Sequence, residues 1–291
     1  MNVIVLGNAG SWYVADLERA AAARGDRCIR WDFMRLATHL RDDGEHVSHE
    51  GQTLADVDAV IVRTMPPGSL EQVVFRMDLL ARIEATGVTV LNSPRSMECA
   101  VDKYLTTSLL QRAGLPVPGT CVCENADDAL SALAELGGDV VVKPLFGAEG
   151  RGITRVSDPE IGLRVFRTLE RIGAVLYLQR FVEHEGFDVR VLVLDGRVIG
   201  GMKRRSTSDF RTNVSRDALA EPHEATDRER EFALRAAAAT GARFAGVDLL
   251  YDRSGQMYVI EVNAVPGWRA FQKVTGIDVA RWVLEAVEKR S

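Results

Sequence analysis

The stretch "MYVIEVNAVPG", Met257 to Gly267, decides how this chain is read. Tyr258, Val259, Ile260 and Val262 have the character of a buried strand, yet Glu261 and Asn263 interrupt them. Side chains two apart on a strand share a face, so a carboxylate and an amide stand together just ahead of a Pro-Gly turn. Upstream, "GVDLLYD" places Asp248 on another strand, with a Ser254-Gly255 turn between the two segments. Paired across that hairpin, Asp248, Glu261 and Asn263 form a set of hard oxygen donors, which suits magnesium completed by phosphate and water. A buried carboxylate without a partner is costly, and an Arg or Lys would relieve it equally. A metal site and a buried ion pair both satisfy these residues.

The 291 residues of the chain are enough for two or three subdomains with a substantial core. The formal charge of −5 excludes a whole-molecule electrostatic nucleic-acid binder, so any bound anion needs a local cationic cluster. "MNVIVLGNAGSWY" reads as a first strand and lacks a basic leader, and no apolar run is long enough to span a bilayer. No membrane or nucleic-acid partner is expected, and the expected location is cytoplasmic. Cys28, Cys99, Cys121 and Cys123 fall in no metal-ligand spacing and read as thiols of a reducing compartment. "HVSH", His46 to His49, reads as a solvated turn region in preference to a metal pair.

The first third alternates strand and helix: "NVIVLG", a helix over Trp12 to Arg24, "RCIRW", "DAVIVR", a helix capped by Ser69 and closed by Gly87, then "VTVLN". Such alternation implies a parallel sheet. Gly7 and Gly10 follow the first strand as GxxG, not GxGxxG, and read as a tight turn beside a substrate cleft. Later come "TCVC", a helix over Ala126 to Leu136, "DVVVKP", a glycine loop, "GITRV" and a helix from Pro159 to Ile172. The last third has antiparallel-looking strands "VLYLQRF", "DVRVLVL" and "RVIGGMKRR", with a turn at Asp195-Gly196.

Cations recur beside these strands. "VVVKPLFGAEGRG" delivers Lys143 from a buried strand into a loop with Gly147, Gly150 and Gly152, where backbone N–H groups can approach phosphate closely. It is not a Walker A loop, since GK[ST] and the following helix are missing; a plain glycine hairpin is the alternative. Asp188 and Arg190 share a strand face, as a surface pair or as groups that meet sugar and phosphate. "KRRSTSDFRTNVSR" concentrates Lys203, Arg204, Arg205, Arg211 and Arg216 around Asn213, as a solvated loop or a phosphate or carboxylate site.

In this order the segments "DKYLTTSLLQRAGLPVPGT", "VVVKPLFGAEGRGI", "LQRFVEHEGFDVRVLVL", "DFRTN", "AGVDLLYD" and "VIEVNAVPGW" resemble the ATP-grasp superfamily, specifically its RimK-like carboxylate–amine ligases. The resemblance implies an α/β chain, α+β in the grasp lobes, behind a Rossmann-like parallel-sheet domain. The expected divisions are 1–93 for that domain, 94–177 for a central lid subdomain and 178–291 for the metal-bearing subdomain. It implies ATP with magnesium or manganese as cofactors. Lys143 and Lys103 would contact phosphates, Gly147, Gly150 and Gly152 would close over them, and Arg180, Phe181 and Val182 would hold adenine through backbone groups. Asp188 would face the nucleotide. Asp248, Glu261 and Asn263 would bind the metal. Arg211 and Asn213 would reach phosphate and acyl phosphate, and Arg190 would meet the oxygen of the acyl intermediate.

The implied chemistry is amide formation through an acyl phosphate. "NAVPGWRAFQKVTGID" and "PPGSLEQVVFRMDLL" resemble the branch with tetrahydromethanopterin and coenzyme F420 glutamate ligases, so L-glutamate and a small pterin-type carboxylate acceptor are the expected partners. Modification of a protein C-terminus and a non-catalytic ATP-binding regulator are the alternatives. Trp268 and Arg269 would stack on a ring or bind a carboxylate, or Trp268 would pack under the turn. Family members often carry Pro-Arg after the third strand, where this chain has "RTMPPG"; family habit also implies a homo-oligomer.

Overall fold

The computed structural model describes residues 1–147, 152–206 and 219–288. The N-terminal third contains β1 (Asn2–Leu6), α1 (Trp12–Arg24), β2 (Arg27–Trp31), β3 (Leu36–Arg41), β4 (Gly44–His49), β5 (Gln52–Thr53), β6 (Ala59–Val62), α2 (Leu70–Ala85) and β7 (Thr89–Leu91). Four of these strands pair in parallel in the order β2-β1-β6-β7. Both faces are covered, which is why β1 and β6 are near-continuous apolar runs. Residues 36–53 correct the expectation of a solvated turn: β3, β4 and β5 form a small antiparallel sheet. His49 is buried, its ring stacked 5.0 Å from that of Trp31, and its Nε2 accepts from the Asp32 N–H at 3.0 Å. His46 turns to Asp43 instead, so the two histidines share no site.

After α3 (Pro94–Val101) and α4 (Lys103–Arg112) come β8 (Thr120–Cys123), α5 (Ala126–Glu135), β9 (Val140–Lys143), β10 (Thr154–Val156), α6 (Pro159–Arg171) and β11 (Leu176–Arg180). Their antiparallel sheet has the order β10-β9-β11-β8 and a core of its own with α5 and α6, centred on Phe166, Leu133 and Leu178. The border expected at 177/178 falls inside β11.

The last part contains β12 (Phe187–Leu194), β13 (Arg197–Arg205), β14 (Leu219–His223), α7 (Asp227–Thr240), β15 (Phe244–Tyr251), β16 (Met257–Asn263), α8 (Arg269–Thr275) and α9 (Val279–Val287). A Thr226/Glu229 capping box starts α7, and Gly241 ends it in the left-handed region. The five strands run antiparallel in the order β14-β13-β12-β15-β16. This sheet shares two apolar cores with the N-terminal domain. One joins Ile4, Leu6 and α2 to Val189, Val247 and α7; the other joins Val3, Val5 and α1 to Leu192, Phe244 and α9. Among the described residues, no helix is long and apolar enough to cross a membrane.

Candidate active site

Two irregularities in strand pairing build the site. Beyond the Asp195-Gly196 turn the β12–β13 register shifts between Leu192 and Val193, and this shift sets Arg204, not Lys203, opposite Asp188. The β15–β16 register shifts between Asp248 and Leu249, so that Ile260 is the extra residue and Asp248 faces Glu261. Arg190 stands opposite Asp248 on the other side. A row of charges therefore crosses the sheet: Arg204 and Asp188, Arg190 and Asp248, then Glu261.

Asp248 is 3% exposed and takes the ion-pair alternative that its sequence allows. Arg190 grips it in two-pronged fashion, Nε to Oδ1 and Nη2 to Oδ2, both at 2.7 Å. Arg204 Nη2 lies 2.9 Å from the same Oδ2 and binds Asp188 through both its Nε and Nη2. Burial alone would raise the Asp248 pKa, but the two guanidinium groups outweigh it and hold the carboxyl below its ordinary range. Arg190 and Asp188, expected to meet ligands, are thus engaged with protein charges here. The sequence places Arg204 in a cationic cluster but does not show its pairing with Asp188, because the register shift moves it by one place, which a regular hairpin would not do.

Glu261 behaves differently. Among the described residues it has no hydrogen-bond or ion-pair partner, although it lies within electrostatic reach of Lys103 and Lys143. Lys143 Nζ donates to Gln179 Oε1 at 2.6 Å, and Gln179 is held in turn by Thr120 and Tyr177. Burial pushes the Lys143 ammonium down to about 8. Lys103 is lowered for the same reason, and its Nζ donates to the Gly147 carbonyl at 2.9 Å.

Lys143, Asp188, Asp248 and Glu261 open onto one cleft between the central and the C-terminal sheets, about 620 Å³ including its open mouth. Val141 comes to it from β9 and Ile153 from just ahead of β10, Leu250 and Ile260 from the C-terminal sheet. Together they make an apolar slot suited to a planar base, which the sequence reading did not single out. Arg180, Phe181 and Val182 also line it. The N–H groups of Arg180 and Phe181 already donate to the Gly119 and Asp139 carbonyls, at 2.7 and 2.9 Å. The Val182 N–H has no partner among the described residues and is the free donor of the three. Asn263, opposite Gly246, does not line the cleft, and its buried Nδ2 has no partner among the described residues. Gly150, Arg211 and Asn213 lie outside the described residues.

Two carboxylates and an amide oxygen are donors that magnesium accepts. Glu261 is unengaged, Asn263 Oδ1 accepts no hydrogen bond among the described residues, and Asp248 keeps lone-pair capacity beyond its three guanidinium contacts. The residues present fit the ion. Trp268 does not fit the stacking role: it is fully buried, with its Nε1 donating to Asp16 Oδ2 at 2.9 Å. Arg269 is exposed and lies over Trp12.

An apolar slot beside two lysines and two carboxylates, set between two sheets, suits a nucleotide-binding scaffold. Residues 100–287 match the RimK-like ATP-grasp domain and residues 1–97 the RimK PreATP-grasp domain. The chain belongs to the RimK-like ATP-grasp family of ligases. It is 35% identical, over 81% of either chain, to a tetrahydromethanopterin:alpha-L-glutamate ligase of Methanosarcina acetivorans. To a probable alpha-L-glutamate ligase of Halorhodospira halophila it is 30% identical, over 99% of this chain and 95% of that one. Among solved structures, the ATP-grasp ligase PsnB complexed with a minimal precursor superposes with a TM-score of 0.79 at 26% identity, covering 99% and 98% of the two chains. PsnB complexed with minimal precursor, Mg and ADP gives 0.76 at 26% identity, covering 98% and 96%. The enzyme is an ATP-using ligase.

Proposed function

We propose that this ligase adds L-glutamate to the carboxylate of a small pterin-type cofactor through an acyl phosphate. The acceptor carboxylate attacks the γ-phosphorus of ATP and releases ADP. The glutamate amine then attacks the acyl carbon, its proton is lost, and the C–O bond to phosphate breaks to leave the amide. The base occupies the apolar slot and accepts from the Val182 N–H, while Lys143 and Lys103 offset phosphate charge. Asp248, Glu261 and Asn263 hold magnesium, which supplies charge neutralisation at the transferring phosphoryl group. Arg190 and Arg204 fix the Asp248 carboxylate. In this scheme 1–93 serves the acceptor, 94–177 covers the nucleotide and 178–291 carries the metal ligands.

The observation that carries the reading is the juxtaposition in one cleft of a half-buried lysine and a glutamate that, among the described residues, have no acid and no cation bonded to them respectively. A polyphosphate–metal pair complements both at once. The acceptor class rests on the 35% identical tetrahydromethanopterin ligase. A peptide acceptor is the second reading, favoured by the PsnB complexes with precursor. The two are separated by incubating the protein with ATP, magnesium and glutamate, offering either tetrahydromethanopterin or peptides with free carboxylates, and weighing the products. A glutamyl adduct on the pterin is expected. An adduct on peptide alone would replace the acceptor assignment and leave the ligase reading standing.

A further inference from the structure

Asn263 is followed by the turn Ala264–Trp268, and three buried polar side chains from the other end of the sequence hold that turn. Asn92, 1% exposed, donates through Nδ2 to the carbonyls of Ala264 and Phe244 and accepts the Phe244 N–H on Oδ1 at 2.9 Å. Arg63, 7% exposed, donates from Nη2 to the Pro266 carbonyl at 2.9 Å. Asp16 accepts the Trp268 indole N–H. The turn is thus tied at alternate residues, 264, 266 and 268, to the N-terminal domain.

Arg63 is the unusual member. Its guanidinium lies between two aromatic rings, 4.3 Å from the Trp268 centroid and 4.8 Å from that of Tyr13. No acid is paired with it among the described residues, and its Nε is buried without a partner. Burial pulls its pKa down to about 10. An uncompensated buried charge is a poor way to stabilise a fold. It does fix one carbonyl in one place, since cation–π contacts and a charged hydrogen bond together define its direction. The fit is close: a Cβ added at Gly267 would sit 2.6 Å from Tyr13 Oη.

We propose that the N-terminal domain positions Asn263 for the metal by gripping the Ala264–Trp268 turn behind it, with Arg63, Asn92 and Asp16 as positioning residues. This rests on the assignment of Asn263 to the metal. Partners that orient ligands in this way typically change metal affinity about 10–100-fold when removed. The acceptor-side domain and the metal strand then move as one piece, which aligns the attacking carboxylate with the phosphoryl group.

The test is manganese binding to the ADP complex, followed by electron paramagnetic resonance, with thermal melting alongside. Arg63→Met fills the space between the rings and removes the charge, so it is expected to fold yet bind manganese about tenfold more weakly. Arg63→Lys, which can still reach a carbonyl, recovers part of that loss. Gly267→Ala displaces the turn without touching the charge and is expected to weaken manganese similarly, which keeps the test decisive should Arg63→Met not fold. Asn263→Ala is the reference. Weak manganese binding in Asn263→Ala with wild-type binding in both Arg63→Met and Gly267→Ala would overturn the proposal and leave the metal assignment standing. Wild-type binding in Asn263→Ala itself would remove the metal assignment and the proposal with it.

Discussion

Lys143 and the two acids facing it respond to substitution in opposite ways, because only one acid has a partner. Asp248 is buried and held by two arginines, so Asp248→Asn leaves guanidinium charge uncompensated and is expected to cost about 3 kcal/mol in urea unfolding. Glu261 has no such partner, and Glu261→Gln should leave the unfolding midpoint unchanged or raised while ligation is lost. Equal destabilisation by both substitutions would contradict the pairing described here. Lys143 gives a pH signature. Its folded value of about 8 lies below its ordinary 10.5, so the cost of the buried ammonium is present below about pH 8. That cost is relieved as pH rises through the window between the two values. Bound polyphosphate favours the ammonium, so ATP affinity measured by calorimetry should hold steady below about pH 8 and fall above it. Lys143→Met should bind weakly with no slope in that window.

At the scale of elements, the site depends on strand register, and this is where sequence reading reaches furthest and then stops. Period-two alternation in "VIEVN" and "GVDLLYD" predicts Asp248 near Glu261, and the structure pairs them. That pairing needs Ile260 as an extra residue, and nothing in an apolar Val-Ile pair marks which residue a strand will extrude. The same limit hid the Arg204–Asp188 pair, since a regular hairpin from Asp195-Gly196 puts Lys203 opposite Asp188. The glycine turn itself was legible, and Asp195 and Gly196 both have positive φ, 46° and 69°. Gly196→Val forces a branched residue into that region and should cost about 1–2 kcal/mol, read from chemical denaturation. Activity below the melting transition should persist, because the register shift between Leu192 and Val193 lies on the strand and not in the turn. "HVSH" was misread for a different reason: its hydrophobic partner Trp31 is distant in sequence, so the burial of His49 left no local trace.

On the scale of the whole molecule, the parallel sheet and C-terminal sheet share two cores, whereas the central lobe has its own. Strand–helix alternation made the first sheet legible, but one of the shared cores depends on α9 returning across the chain to α1, beside contacts such as Arg24 with Glu288. No periodicity announces that return. A lobe with a separate core is a separate unit of local stability. Hydrogen exchange with a non-hydrolysable ATP analogue should therefore show new protection in β9, β11 and β16 while β1 and β6 stay as before. Uniform protection of all sheets would indicate that the lobes are not energetically separate.

Under the proposed mechanism an acceptor carboxylate is activated by phosphoryl transfer in this cleft. The most direct measurement supplies ATP, magnesium, glutamate and an acceptor whose carboxylate carries heavy oxygen, and follows the label into inorganic phosphate. Activation through an acyl phosphate predicts one labelled oxygen in each phosphate released, with ADP formed in equal amount. Amide formed with AMP and pyrophosphate, or with unlabelled phosphate, would contradict it.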